Sequence, residues 1–548
     1  MLRAARCLLI PSVAIAIVAS GLEAAQLLRA APLWVDEEMI ALNLRDRPFA
    51  DLAGPLWLGQ SAPLGWLIVQ RAALLALGPA EAALRLLALM FGIATLAAAA
   101  WMGERWLNRA SAALLVLLCA WGEWLSFFRF EVKHYSADAF WALLLPALAV
   151  WALEPREAGE AHWRWTRWWA VAALAQWFAN GALLVTPGCT LVLLVVILRR
   201  HGLRGGAQFA ATGILWLASM AAHYALSLQY THHSRYLRTY WANAVPPDGA
   251  GLVETMSWVA GRLDLLAINP GGSALSLAFW GCAIAGFAWS RHRVLAVLFA
   301  TVPLTAFVLA AVRLVPLFER LSLWMVPSLY VGIALLFDEG LRHVLGAWPA
   351  RRWPTLMAGA AAAGAALVVS VNILATGGRD FDLEPRTTNR GMDDRSAAKW
   401  VMDRRKPGDA LVSTRLGWPA LRWYGPIPLR TGLPGGRLPD GAVMYEVSHD
   451  RARPDCTQRM RAALAGHSRV IVYTGHPDTP DGFFELLLHE LAQFGMVVER
   501  REFPGPGSAA VVDLRLPPAE GPSVLLDPNG AGTLALKGCV NVGIARLW

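Results

Sequence analysis

The sequence predicts an α-helical polytopic membrane protein of about eleven transmembrane helices, followed by a soluble C-terminal α/β domain. Three observations predict it. The 548-residue chain is 56% hydrophobic and only 16% charged, where a soluble globular protein is about 25% charged. Eleven apolar stretches approach the roughly 20 residues that a helix needs to cross a bilayer. Charge is also unevenly placed: residues 1–375 hold 47 Lys, Arg, Asp and Glu, and residues 376–548 hold 42. The tail is thus nearly twice as densely charged, which marks a boundary between a membrane domain, 1–376, and a soluble domain, 377–548. This balance excludes a disordered chain, a collagen-like chain and a disulfide-dense mini-protein. A net charge of +9 over this length fits basic membrane loops and not a nucleic-acid footprint.

The expected spans lie near 8–28, 82–102, 111–128, 137–153, 168–180, 181–198, 207–227, 274–290, 292–311, 321–337 and 355–375. The pair 168–180 and 181–198 requires a turn at Asn180-Gly181; a single kinked helix there would reverse the sidedness of everything downstream. With the N-terminus inside, the short inner loops hold Arg105, Arg109, Arg199, Arg200, Arg204, Arg291, Arg293, Arg351 and Arg352, as the positive-inside rule requires. The outer loops are then 29–81, 129–136, 228–273 and 312–320, and the tail is outside. That is the arrangement of a multi-pass membrane protein with its C-terminal domain on the outer side. The alternative for the first stretch, with Arg3 and Arg6 before its apolar run, is a cleaved signal peptide.

Cys7, Cys119, Cys189 and Cys282 lie singly in apolar runs, where a thiol is a small hydrophobe. Cys456 and Cys539 are the only two in the tail, and in an oxidising compartment they form a natural disulfide pair. Within the tail, 396–405 reads as a helix, 410–413 as a strand after a Pro407-Gly408-Asp409 turn, and 469–474 as an apolar, β-branched strand. A helix over 483–494 and strands over 496–500 and 509–516 complete a small α/β pattern. No glycine-rich fingerprint follows a strand, so no nucleotide site is assigned.

Two outer loops carry the chemistry-bearing residues. Asp36, Glu37 and Glu38 directly follow the first span. They read either as an acidic helix N-terminus or as a functional cluster, since acids at the mouth of a span need water or partners. The stretch after them stays semi-apolar, with Trp57 and Trp66 at interface spacing, and reads as amphipathic helix in the headgroup region. The next outer loop packs Arg129, Glu131, Lys133, His134, Tyr135 and Asp138 between two apolar spans. Lys133 is the only lysine in the first 375 residues, and a compact ammonium suits a phosphate. The other reading is a salt-bridged loop, Lys133 with Glu131 or Asp138. Glu123, inside the third stretch, is a further candidate because ionisable groups at such depth are costly.

The acidic pair after the first span, the Ala62-Pro63-Leu64 stretch, GPAEAALRLLALMFG leading into the second span, and the spacing of Glu131, Lys133 and Tyr135 together resemble the C-type glycosyltransferase superfamily. The likeness is greatest to the branch of protein O-mannosyltransferases and the lipid A aminoarabinose transferase. By motif it covers roughly residues 30–140, and by architecture the whole chain. The resemblance implies transfer of a sugar from a polyprenyl-phosphate donor to an acceptor hydroxyl on a lipid, glycan or protein at the outer face, with inversion. It implies Asp36 as general base, with Glu37 orienting or assisting it. Lys133, helped by Arg129 or Arg320, would stabilise the departing phosphate, with Glu131, His134, Tyr135 and Asp138 in support. No cofactor is required by the sequence. A divalent metal is left open, with His232 and His233 as the loop histidines, although adjacent histidines point apart on most backbones. Two other classes remain: a flippase or exporter of a lipid-linked glycan, and a glycan ligase or polymerase with a diphosphate-linked donor, for which Arg235 and Arg238 are the candidate arginines.

Overall fold

The computed structural model describes residues 10–29, 31–154, 160–347, 352–377, 388–428, 437–450, 455–475, 482–505, 507–518 and 539–544. Arg3, Arg6, Cys7 and Arg351 lie outside the described residues. The chain divides into two compact units. One comprises residues 1–28, 49–55 and 61–384; the other comprises 29–48, 56–60 and 385–548.

The first unit is helical. Each of the eleven apolar stretches carries helix. The runs Glu81–Trp106, Tyr135–Ala152, Asn180–His232, Arg293–Ala311, Glu319–Ala347 and Trp353–Gly377 are long and apolar enough to cross a membrane. Pro11–Leu27, Leu64–Leu77, Arg109–Trp121 and Ser276–Trp289 are shorter apolar helices. Leu191, Leu217, Leu304, Val308 and Val371 are exposed on these helices. Such a surface is stable only against lipid.

The stretch 168–198 resolves into two helices. Glu160–Ala175 ends and Asn180–Thr212 begins after four intervening residues. The break is fastened from outside, because the Trp177 carbonyl accepts the Trp66 N–H at 3.1 Å. Trp66 belongs to helix Leu64–Leu77, which buries Leu64, Trp66, Leu67 and Leu74 and leaves Ile68, Val69, Leu75 and Leu77 exposed. It is apolar on both sides, as an element between protein and lipid must be. The third stretch is broken at Gly122 into Arg109–Trp121 and Glu123–Phe128. Glu123 therefore heads a short helix and does not sit within a continuous span, which corrects the reading from sequence. Helices Ser276–Trp289 and Val326–Ala347 cross at Gly286 and Gly332, where a Cβ on Gly286 would lie 1.8 Å from the Gly332 carbonyl oxygen. Only glycine permits that approach.

The second unit is built on a six-stranded sheet in the order β4-β5-β3-β1-β2-β6. The strands are β1 (Ala410–Thr414), β2 (Val443–Asp450), β3 (Arg469–Thr474), β4 (Met496–Glu502), β5 (Ser508–Asp513) and β6 (Cys539–Ile544). β1 pairs in parallel with β2 and β3, β5 pairs antiparallel with β3, β4 antiparallel with β5, and β6 antiparallel with β2. Strict alternation builds two cores. Val412, Val470, Val472 and Val512 meet Met460, Leu464, Phe483 and Leu487 from helices Cys456–Leu464 and Phe483–Ala492. Leu411, Ile471, Tyr473 and Val511 meet Trp400, Val401, Trp418 and Leu421 from helices Asp394–Arg404 and Trp418–Tyr424. Helix Asp394–Arg404 starts on the Asp393 carboxylate, which accepts the Ser396 N–H at 3.0 Å.

A disulfide joins Cys456, at the start of its helix, to Cys539, at the start of β6, across 83 positions. Closing so long a loop removes much unfolded-chain entropy. The Cys456→Ser/Cys539→Ser variant is expected to lose about 2–5 kcal/mol of stability, measured as a lower denaturant midpoint for tail protection from proteolysis in the full-length protein. An unchanged midpoint would show the bridge to be dispensable.

Candidate functional site

Helix Val35–Asp46 opens with three acids, where the helix dipole favours them, yet their surroundings differ. Asp36 is partly exposed, while Glu37 and Glu38 are buried. The Glu37 Oε2 accepts the Trp34 N–H at 2.9 Å and the Asn389 Nδ2 at 3.0 Å. The same amide group of Asn389 donates to the Pro32 carbonyl at 3.0 Å. Asn389 opens a tight turn closed by reciprocal bonds with Met392, of 2.8 and 3.0 Å. Arg390 and Gly391 at its tip have φ of 51° and 78°, the two positive values of a primed turn. The Arg390 guanidinium then lies over the Trp34 ring at 4.5 Å. Glu37 is thus a clamp between the helix start and the 389–392 turn. Its burial and these bonds fix the start of the helix that carries Asp36.

The far end of the same helix is fastened equally firmly. Arg45 donates to the carbonyls of Arg422 (2.9 Å), Trp423 (3.3 Å) and Ile427 (2.8 Å), and pairs with Asp46 at 2.6 Å. Those carbonyls lie at and just past the C-terminal end of helix Trp418–Tyr424, where groups left over by the helix need donors. The Leu33 N–H donates to the Tyr424 hydroxyl at 2.7 Å. Buried Asn43 accepts the Trp57 N–H at 2.9 Å and donates to the Trp57 carbonyl at 3.2 Å, while the Arg47 guanidinium covers the Trp57 ring at 4.9 Å. Residues 29–48 and 56–60 therefore fold as part of the α/β unit. Sequence reasoning did not single out Asn43, Arg45, Asn389 or Tyr424. Leu33 and Tyr424 are 391 positions apart, so no local pattern carries the signal.

In the helical unit, Arg129, Glu131, Lys133, His134, Tyr135 and Asp138 are all buried. Arg129, expected as a phosphate ligand, is held by acceptors of the protein itself. Its guanidinium is engaged by the Glu23 carboxylate and by the carbonyls of Cys119 and Ala120, which anchors the loop to helices Pro11–Leu27 and Arg109–Trp121. Asp138 Oδ1 accepts the Gly181 N–H at 2.8 Å and so holds the first turn of helix Asn180–Thr212, a supporting role by geometry. His134 Nε2 lies 2.9 Å from Asn180 Nδ2 and 3.5 Å from Asp138 Oδ2. Burial, with the adjacent Lys133 ammonium, pushes the His134 imidazole down to about 3, so it is neutral at physiological pH. Its Nδ1 has no partner among the described residues. Tyr135 packs edge-on to Phe128 at 5.1 Å and Trp66 edge-on to His134 at 6.5 Å. The structure thus gathers Glu131, Lys133, His134, Tyr135 and Asp138 at one helix start. Arg320 is partly exposed in the turn Glu319–Met325, with its guanidinium 5.7 Å from the Trp241 ring.

Among the described residues no group of three or more His, Cys, Asp or Glu is arranged to hold a metal ion. The His232 and His233 rings stand at 89° with centroids 5.1 Å apart, and His233 Nδ1 faces the Gln229 carbonyl at 2.8 Å. Neither histidine belongs to a group of three or more such side chains among the described residues.

A multi-span helical unit combined with an α/β unit is a fold with solved counterparts. In particular, the chain is similar to ArnT from Cupriavidus metallidurans. It matches the apo crystal structure with a TM-score of 0.57 at 15% identity, over 94% of this chain and 100% of that one. It matches the same protein bound to undecaprenyl phosphate with a TM-score of 0.57 at 15% identity, over 91% and 97%. An oligosaccharyltransferase from Archaeoglobus fulgidus, in complex with zinc and sulfate, matches with a TM-score of 0.43 at 11% identity, over 84% and 67%. No protein-family model and no curated protein sequence matches the chain. The likeness is therefore one of fold.

The Arg129 assignment is directly testable. Arg129→Met leaves Glu23 buried and unpaired and is expected to destabilise the protein by about 3–5 kcal/mol, whereas Glu23→Leu/Arg129→Met recovers most of the loss. Thermal unfolding in detergent measures both. A stable Arg129→Met protein with weakened donor binding would restore Arg129 to the phosphate site.

Proposed function

We propose that this chain is an integral-membrane glycosyltransferase that moves a sugar from a polyprenyl-phosphate donor to an acceptor hydroxyl on a lipid, glycan or protein. The reaction takes place at the periplasmic face of a bacterial inner membrane. The observation that carries the reading is the near full-length likeness in fold to ArnT, a protein whose structure has also been obtained with undecaprenyl phosphate.

The residues support it in three ways. Asp36 is the least buried of the three acids on its helix, and its backbone is fixed by the bonds of Glu37 and Arg45 on either side. It takes the acceptor proton as the hydroxyl attacks the anomeric carbon. Lys133 supplies fixed positive charge to the phosphate as the sugar–phosphate bond breaks, with Arg320 as a helper. Such preorganised charge is commonly the largest catalytic contribution. Neutral His134 offers a hydrogen bond without adding charge, and Glu131, Tyr135 and Asp138 hold the loop. One displacement inverts the anomeric centre. No step is assigned to a metal.

Asp36→Asn is expected to lower kcat by about 10²–10⁴-fold with a labelled lipid donor in nanodiscs, and Lys133→Ala to lower it more than Lys133→Arg. Release of free polyprenyl phosphate accompanies each turnover. Undiminished turnover by a folded Asp36→Asn protein would remove Asp36 from the mechanism, and acceptor-dependent movement of intact donor without phosphate release would replace the enzyme with a transporter.

A further inference from the structure

Glu38 has no task in the reaction above, yet it is the most unusual of the three acids. Its side chain is 0% exposed, and neither carboxyl oxygen has a partner among the described residues. A carboxylate in that condition is strongly disfavoured, and such a group keeps its proton instead. Its neighbours reinforce this. Burial raises Glu38 well above the ordinary carboxyl range, and the charges that act on it, those of Asp394 and Glu37, raise it further.

Three elements meet here. Helix Val35–Asp46 brings Glu38, helix Asp394–Arg404 brings Asp394 as its first residue, and β3 brings Tyr473. The buried Tyr473 hydroxyl donates to the Asp394 carboxylate, and Tyr473 in turn feels the charges of Asp394, Glu38 and Asp393. The other ionisable groups nearby are engaged. Glu37 holds Trp34 and Asn389, and Asp393 caps its helix. Arg390 lies over Trp34. Arg45 and Arg422 face the carbonyls of Ile427 and Pro428 at the opposite end of the helix. The buried junction therefore holds one carboxylate with a phenol donor, and a second carboxyl that fits only when uncharged.

We infer that Glu38 is a positioning residue that seats the Asp36-bearing helix on the α/β unit only while it carries a proton, so that the seat loosens as pH rises. The consequence for turnover rests on the base assignment to Asp36; the seat itself does not. The direction follows from linkage. The seated carboxyl keeps its proton, whereas an unseated one ionises in the ordinary carboxyl range. Unseating therefore releases a proton, and each pH unit within that window favours the unseated helix by about tenfold. Below the ordinary range both states are protonated and pH has no effect. Asp394, pushed up to about 6 mainly by burial, adds a loss of the same sign, completed by that value.

Hydrogen exchange of the backbone amides of 37–44, corrected for intrinsic base catalysis, tests this in the full-length protein in nanodiscs from pH 5 to 9. Wild type is expected to lose about tenfold in protection per pH unit above the Asp394 window. Glu38→Gln has the same shape and no proton to lose, so its protection is expected to be flat there and its turnover to persist to higher pH. Asp394→Asn removes the neighbouring charge, makes ionised Glu38 easier to accommodate, and is expected to end the loss at a lower pH than in wild type. This second variant decides the matter if Glu38→Gln fails to fold. Identical protection profiles in wild type and both variants overturn the inference. So does a seat that a chelator releases at every pH, which would make Glu38 a cation ligand. If Asp36→Asn keeps full turnover while Glu38→Gln still flattens the exchange profile, the base assignment fails and the seat stands.

Discussion

An ionised group leaves water only where something replaces its hydration, and both units are arranged around the few places where that happens. In the helical unit, Arg129 and Glu23 neutralise each other among apolar helices, and two backbone carbonyls take up further guanidinium donors. Asp138 is met by the free N–H at a helix start. In the α/β unit, Glu37 is met by a backbone N–H and an amide, and Asp394 by a phenol. Glu38 has none of these among the described residues. The same side-chain chemistry therefore yields a charged clamp in one position and a neutral wedge in the next, and the surroundings alone decide which.

The seating of helix Val35–Asp46 follows from the same constraint. A helix end leaves carbonyls without partners, and the three that Arg45 reaches lie at and beyond the end of helix Trp418–Tyr424. A planar guanidinium spreads five donors over a rigid fork wide enough to reach several separate acceptors, whereas a lysine gathers its three on one nitrogen. One side chain thus satisfies the end of one helix while fixing another. Because helix Trp418–Tyr424 is packed on the sheet through Trp418 and Leu421, the acid-bearing helix inherits the rigidity of a two-sided core. A reacting group mounted in this way is held more precisely than one on a free loop.

Much of the fold is legible in the sequence because it is written in local periods. The apolar stretches become helices, and the alternating, β-branched run 469–474 becomes β3 with the same limits. Val443–Asp450 escapes the same reading because its apolar start gives way to Glu446, Ser448, His449 and Asp450, and helix Cys456–Leu464 because it is short and its apolar positions are broken by Thr457, Gln458, Arg459 and Arg461. The site is less legible, and the reason is distance along the chain. Arg129 looks like a phosphate ligand beside Lys133, but its partner Glu23 is 106 positions away. The first outer loop looks like part of the membrane domain, but Asn389, 352 positions from Glu37, closes its clamp. Periodicity reports which face of an element is buried and says nothing about which remote carbonyl or carboxylate receives a charge.

The difference between Arg129 and Lys133 also bears on the proposed chemistry. Arginine carries five donors in a fixed fork, and inside a protein each needs an acceptor. At Arg129 carboxylate and backbone acceptors supplied by the helices take them up, which makes a fine anchor and a poor ligand for anything that must arrive and leave. Lysine concentrates its charge and three rotatable donors on one nitrogen, so it can keep a protein neighbour and still turn a donor toward a phosphate oxygen. A loop that must be both fastened among apolar helices and responsive to a departing anion divides the two tasks between the two residue types. The single lysine in the first 375 residues stands four positions after the arginine that fastens the loop.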